Sequence, residues 1–166
     1  MSFNAFDLDI SKVYQSYQKD INIYNCLDSW KSNNYLNLYC YNCGNKSKEK
    51  KSIFESTPKV FIFLLERGIN FDKKNEKIKI NFNIDEKIDL SNYIEEGLSN
   101  LYDLTGIVSI YASEKKYISY CKSPIDHLWY YYNDTKVECI SLNDIIKHSY
   151  NQKTIPCILY YTKIEN

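Results

Sequence analysis

The sequence predicts an α+β fold: a curved antiparallel sheet of about six strands, with short helices. Three observations carry that expectation. Residues 102–137 (YDLTGIVSIYASEKKYISYCKSPIDHLWYYYNDTKV) contain three consecutive runs rich in β-branched and aromatic residues, separated by polar or Pro-containing segments, the pattern of an antiparallel meander. Two more apolar runs, PKVFIFLL at 58–65 and IPCILYYT at 155–162, have the length and composition of buried strands. Short stretches with helical spacing lie between the strand candidates, and neither a repeat nor a linker divides residues 1–166, so one domain is expected.

Composition bounds the function classes. A 44% apolar and 25% charged chain is globular rather than disordered. A formal net charge of zero gives no footprint for nucleic acid. No apolar run approaches the roughly 18 residues that a membrane helix needs. The N-terminal MSFNAFDLDI lacks the basic-then-apolar order of a secretory signal. The cysteines at 26, 40, 43, 121, 139 and 157 are therefore expected as thiols in a reducing compartment, cytoplasmic or nuclear.

Taken in order, residues 3–10 alternate apolar and polar as a short strand, and residues 11–19 open a polar helix. Residues 24–30 with 35–38 read as an amphipathic helix presenting Leu27 and Trp30 on one face. Residues 46–51 form a solvated basic loop and residues 52–54 a short strand. The buried strand at 58–65 follows, then a charged hairpin at 69–77 and an alternating strand at 77–82. Residues 85–93 end that strand and begin a helical turn, with Ser91 as N-cap and Glu95 and Glu96 in the following turn. Residues 97–101 connect to the meander. After it, residues 138–140 continue a strand, and Ser141 caps a short helix with Asp144 as its reciprocal partner. The run at 155–162 is apolar on both faces, so it belongs in the sheet interior.

The stretch Tyr39-Cys40-Tyr41-Asn42-Cys43-Gly44 has zinc-knuckle spacing: two thiolates face one tetrahedral ion, and the glycine permits the tight reversal. A structural site takes four ligands. There is no second CxxC, and His127 and His148 lie far off in sequence. A turn without metal is the favoured reading, with zinc on Cys40 and Cys43 as the alternative.

The order of these segments resembles the C-terminal half of the catalytic domain of the ubiquitin-specific proteases, the papain-like deubiquitinases. Residues 8–10 resemble the family's acidic-apolar strand, Cys26-Leu27 its C-L helix, and Tyr39-Cys40-x-x-Cys43 its second zinc knuckle. PKVFIFLLER at 58–67 resembles P-x-V-L-I-I-x-L-K-R-F and includes the sole arginine, Arg67, although the family's Phe is Gly68 here. Phe82 with residues 88–93 resembles F-P-x-x-L-D-L-x-x-Y, and Tyr102-Asp103-Leu104 resembles Y-x-L. Residues 129–137 resemble W-Y-x-F-D/N-D-x-x-V, and CILYY at 157–161 resembles the closing A-Y-x-L-F-Y. The resemblance implies the palm and fingers of that fold without its thumb, the finger-like region falling at about 30–55.

It also implies a lost active site. Cysteine-protease chemistry needs a thiolate, an imidazole and a residue that orients the imidazole. The family's nucleophile box, G-N-T-C-Y, does not occur in these residues. Where the family has G-H-Y this chain has Lys115-Lys116-Tyr117, so Lys116 takes the base's position, and the upstream H-x-G is Ile110-Tyr111-Ala112. A lysine is protonated at neutral pH and cannot accept the thiol proton unless strongly desolvated. The third family position survives as Asn133, with Asp134 beside it. Asn-Asp-Thr after an aromatic strand is also simply a good turn. Cys26, Cys121, Cys139 and Cys157 read as small buried hydrophobes rather than nucleophiles.

The expected function is a pseudoenzyme, an inactive member of the deubiquitinase class. It would act as an interaction or scaffold subunit of a larger assembly, with a protein partner covering the missing-thumb face and ubiquitin as a residual ligand. The alternatives are the distal half of a split deubiquitinase completed in trans, or a structural subunit of a ribosomal, splicing or proteasomal complex. No cofactor is expected apart from the zinc alternative, and neither nucleic acid nor membrane as partner.

Overall fold

The computed structural model describes residues 3–17, 20–32, 38–39, 41–47, 53–67, 80–94, 100–111, 114, 116–151 and 153–165. Along the chain run β1 (Phe3–Asp9), α1 (Ile10–Tyr17), β2 (Ile21–Asn22), α2 (Ile23–Ser32), β3 (Leu38–Tyr39), β4 (Lys46–Ser47), β5 (Val60–Glu66), β6 (Phe82–Asn83) and β7 (Lys87–Asp89). A 3-10 turn (Ser91–Tyr93) leads to β8 (Leu101–Tyr111), β9 (Lys116–Lys122), β10 (Trp129–Asn133), β11 (Lys136–Ile140), α3 (Leu142–Tyr150) and β12 (Thr154–Lys163).

One eight-stranded sheet dominates, in the order β1-β5-β12-β8-β9-β10-β11, with β7 also paired to β8. The α+β class and the antiparallel meander are as expected. The sheet is larger than six strands, and it is mixed: β1 lies parallel to β5, with Phe3 opposite Val60 and Asp9 opposite Glu66. Parallel neighbours need a long crossover. Here the intervening chain contains α1 and α2. The interior place of β12, between β5 and β8, matches its apolar character on both faces. Its register against β8 shifts between Pro156 and Ile158, where a proline without an N–H is tolerated.

The core lies between the sheet and the first two helices. Leu8, Ile10, Val13, Ile23, Leu27, Phe61 and Phe63 are all buried. Trp30 of α2 stacks on Phe54 at 5.0 Å and meets Phe6 of β1 edge-on at 5.1 Å. Phe61 meets both Phe54 and Tyr102 at 5.1 Å, so one aromatic cluster ties helix, loop and three strands together. Full burial of each such ring stabilises by roughly 1.5–3 kcal/mol.

Polar side chains set the helix starts. Asp9 Oδ1 accepts from the Lys12 amide at 2.9 Å and from the Ser11 hydroxyl at 2.7 Å, turning β1 directly into α1. Asn22 and Asn25 accept reciprocally from each other's amides at 3.0 Å and open α2. Ser141 caps α3 as expected: its hydroxyl accepts from the Asp144 amide at 3.1 Å and donates to the Asp144 carboxylate at 2.7 Å.

Other expectations are corrected. Ser91 is the first residue of the 3-10 turn, not an N-cap; Leu90 stands before it without a side-chain cap. The Ser91 hydroxyl instead donates backward to Asp89 Oδ1. Residues 87–89 form a strand because their alternation buries Ile88 against β8. The helix at 24–30 does not extend to Leu38, which pairs with Ser47. Lys46 and Ser47 are accordingly strand rather than loop, while Phe54 makes only an isolated bridge to Ile94. The charged hairpin at 69–77, the residues 95–99 and most of the 77–82 strand lie outside the described residues; Ile80 is buried and Phe82 enters β6.

Candidate functional site

The meander brings two chain reversals to one end of the sheet. Lys116 opens β9 opposite Tyr111, and Asn133 closes β10 opposite Lys136 with the two-residue turn Asp134-Thr135 between. Asp134 has φ 54°, the left-handed conformation that aspartate tolerates in tight turns. The register therefore sets Lys116 beside Asp134.

Their chemistry is that of an ion-pair network. Lys116 Nζ lies 2.7 Å from Glu114 Oε2 and 3.9 Å from Asp134 Oδ2. The hydrogen bond to Glu114 is the main influence raising its pKa; desolvation opposes it, and the charges of Glu114 and Asp134 add to it. An ammonium held this way offers donors and no acceptor. Asn133 turns elsewhere: its Nδ2 donates to the Tyr131 hydroxyl at 2.8 Å, while its buried Oδ1 has no hydrogen-bond partner among the described residues. Lys116 and Asp134 are brought together, and Asn133 is tied to its own strand. Lys115 and Ala112 lie outside the described residues.

The thiols are dispersed. Cys26 is buried in α2, and burial, with Asp9 adding and Arg67 opposing, pushes its pKa up to about 12. Burial also raises Cys121 and Cys157, the latter against the pull of Arg67. Cys157 Sγ lies 3.3 Å from the Ile155 carbonyl. Cys121, Cys139 and Cys43 are exposed rather than buried in the core, which corrects the reading of Cys121 and Cys139 as buried hydrophobes. Both fall on the sheet face away from α1 and α2, opposite Tyr130 in register. Among the described residues no thiol hydrogen-bonds an imidazole: His127 sits in the β9–β10 loop with φ 59°, and His148 in the last turn of α3.

The hairpin of β3 and β4 stands apart from the main sheet, within the expected finger-like region, although α2 continues to Ser32. Residues 41–43 turn the chain, and Gly44 has φ 68°, the conformation for which the glycine was expected. Cys43 is exposed in that turn, and Cys40 lies outside the described residues. No group of three or more candidate metal ligands occurs among the described residues, so they do not supply a full zinc set.

One polar residue gains a role that the sequence did not suggest. Arg67 is only 6% exposed. Its Nη1 donates to the Ile80 carbonyl at 2.7 Å and its Nη2 to the Pro156 carbonyl at 3.4 Å. Burial pulls its pKa down, with Cys157 and Cys26 acting the other way. The guanidinium thus joins the end of β5 to the approach to β6 and to β12. The lone arginine in a Lys-rich chain was the available signal, since its rigid fork reaches two separate carbonyls from two different nitrogens.

The family profile described as ubiquitin carboxyl-terminal hydrolase matches residues 9–161. Ubiquitin carboxyl-terminal hydrolase 10 of Arabidopsis thaliana is 24% identical over 160 residues, covering 90% of this chain and 17% of that protein. Among solved structures, the Ubp8-Sgf11-Sgf73-Sus1 SAGA DUB module matches 98% of this chain with a TM-score of 0.67 and 25% identity, covering 34% of the matched chain. A variant of the same module bound to monoubiquitin matches 88% of this chain with a TM-score of 0.61 and 24% identity, covering 35% of the matched chain. The chain thus spans about a third of the solved chains and less than a fifth of the curated relative.

Proposed function

The chain belongs to the ubiquitin carboxyl-terminal hydrolase family, and from that membership we propose that it is a catalytically inert member acting as a protein-interaction subunit of a larger assembly, in the cytosol or nucleus. The observation that carries the proposal is Lys116. In the family motif that residues 115–117 resemble, the middle position is the histidine base; here it is an ammonium engaged by Glu114 and Asp134. A general base needs a lone pair at working pH. Lys116 has none while protonated, whichever chain supplies a cysteine.

The interaction role draws support from the similar structures, whose Ubp8 chains stand in modules with Sgf11, Sgf73 and Sus1, in one case with monoubiquitin. The partner we propose is a protein, with ubiquitin as a weaker second ligand. Incubating the purified chain with ubiquitin vinyl sulfone, alone and in extract from its native cells, tests the proposal. No covalent adduct on any of its cysteines is expected. An adduct on this chain, or ubiquitin-ester turnover lost on Lys116→Ala, would sink the inert reading.

A further inference from the structure

Among the described residues the eight-stranded sheet ends at β11, which pairs with β10 on one side only. Residues Lys136–Cys139 are exposed and Ile140 is half-buried. An open strand edge is a template for another strand. In a two-residue hairpin the closing pair, Asn133 with Lys136, exchanges backbone hydrogen bonds, and the alternation along the ladder continues from it. The backbone groups of Lys136, Glu138 and Ile140 therefore point to β10, while those of Val137 and Cys139 point to the free edge.

We propose that this edge pairs with β11 of a second copy of the same chain, antiparallel about a two-fold axis through Val137. Charge complementarity selects both the partner and the axis. Lys136 and Glu138 flank Val137 on one face, 2.9 Å apart and both more than half exposed. A two-fold through Val137 sets Lys136 of each copy opposite Glu138 of the other, giving two cross-strand ion pairs. Shifting the axis by one residue to Glu138 sets glutamate against glutamate, and like charges directly opposite destabilise a ladder. The strand thus specifies its own register, as an isologous contact requires. The other face fits as well. Val137 lies opposite Tyr132 in register, and the two are 55% and 38% exposed. Pairing Val137 with its symmetry mate makes one apolar stripe from Tyr132 of one copy to Tyr132 of the next. The two outward-pointing Val137 amides and carbonyls then satisfy each other. This inference does not depend on the inert reading, and its failure would leave that reading untouched.

Sedimentation equilibrium of the whole chain, from low-micromolar to sub-millimolar concentration, tests it, with circular dichroism to show that each variant is folded. The expected result is a monomer–dimer equilibrium that Glu138→Lys or Lys136→Glu alone weakens by about tenfold. The double exchange, Lys136→Glu with Glu138→Lys, restores it to within about threefold, because the opposite charges face each other again. A monomer at every concentration overturns the proposal. So does a dimer indifferent to the single reversals, or one that the double exchange does not recover.

Discussion

Lys116 and Arg67 are both cations, and their surroundings give them opposite parts. Lys116 is one-third exposed and ion-paired, so it adds little to stability. In the proposed reading its weight is chemical: its raised pKa keeps a proton where the family motif has an acceptor. Arg67 is buried, and two backbone carbonyls depend on it. Arg67→Met is expected to cost about 2–3 kcal/mol, read as a lower urea midpoint with an unchanged slope. Arg67→Lys should recover only part of this, since one ammonium does not reproduce the fork. An unchanged midpoint in Arg67→Met would show that water serves those carbonyls equally well. The lysine was legible as a departure because Tyr117 follows it, as the tyrosine of G-H-Y follows its histidine. The ion pair with Asp134 was not, because it depends on how β9 and β10 are registered. The carbonyls that Arg67 serves were hidden for the same reason: Pro156 is 89 positions away in sequence.

At the scale of elements, local signals decided what could be read. Ser141 and Asp144 stand three apart before an apolar-periodic run, and the cap they predict is present. Ser91 has the same residue type and fails, because the chain before it is already held in β7 by Ile88 and turns too tightly for an α-helix. The Asn22–Asn25 pair escapes a reading of the sequence, since asparagine at both positions departs from the usual Ser/Thr with Glu/Gln box. Asn22→Ala should destabilise by about 1 kcal/mol, and thermal unfolding of the variant checks it. Long apolar strands such as β5, β8 and β12 were recognisable from composition. The three-residue β7 and the parallel docking of β1 on β5 were not, because pairing partners are a property of the assembled sheet.

In the whole molecule, the tyrosine-rich core makes stability sensitive to alkali. Burial raises the hydroxyl pKa of Tyr102 and Tyr120 from 10.0 to about 12. The folded chain holds these protons more tightly than the unfolded chain, so their contribution is intact below pH about 10 and is lost as pH rises through about 12. Tyr120→Phe should flatten that alkaline loss while leaving the pH dependence near neutrality unchanged, as urea melts across the range would show. The proposed inert role turns on one point: a lysine held protonated stands where the family motif that residues 115–117 resemble has its base. The most direct measurement is an NMR titration of the Lys116 ammonium with side-chain isotope labelling in the folded chain. The midpoint is predicted above the ordinary lysine value of 10.5, falling back toward it in Glu114→Gln. A midpoint near neutrality would make Lys116 an available base and contradict the account.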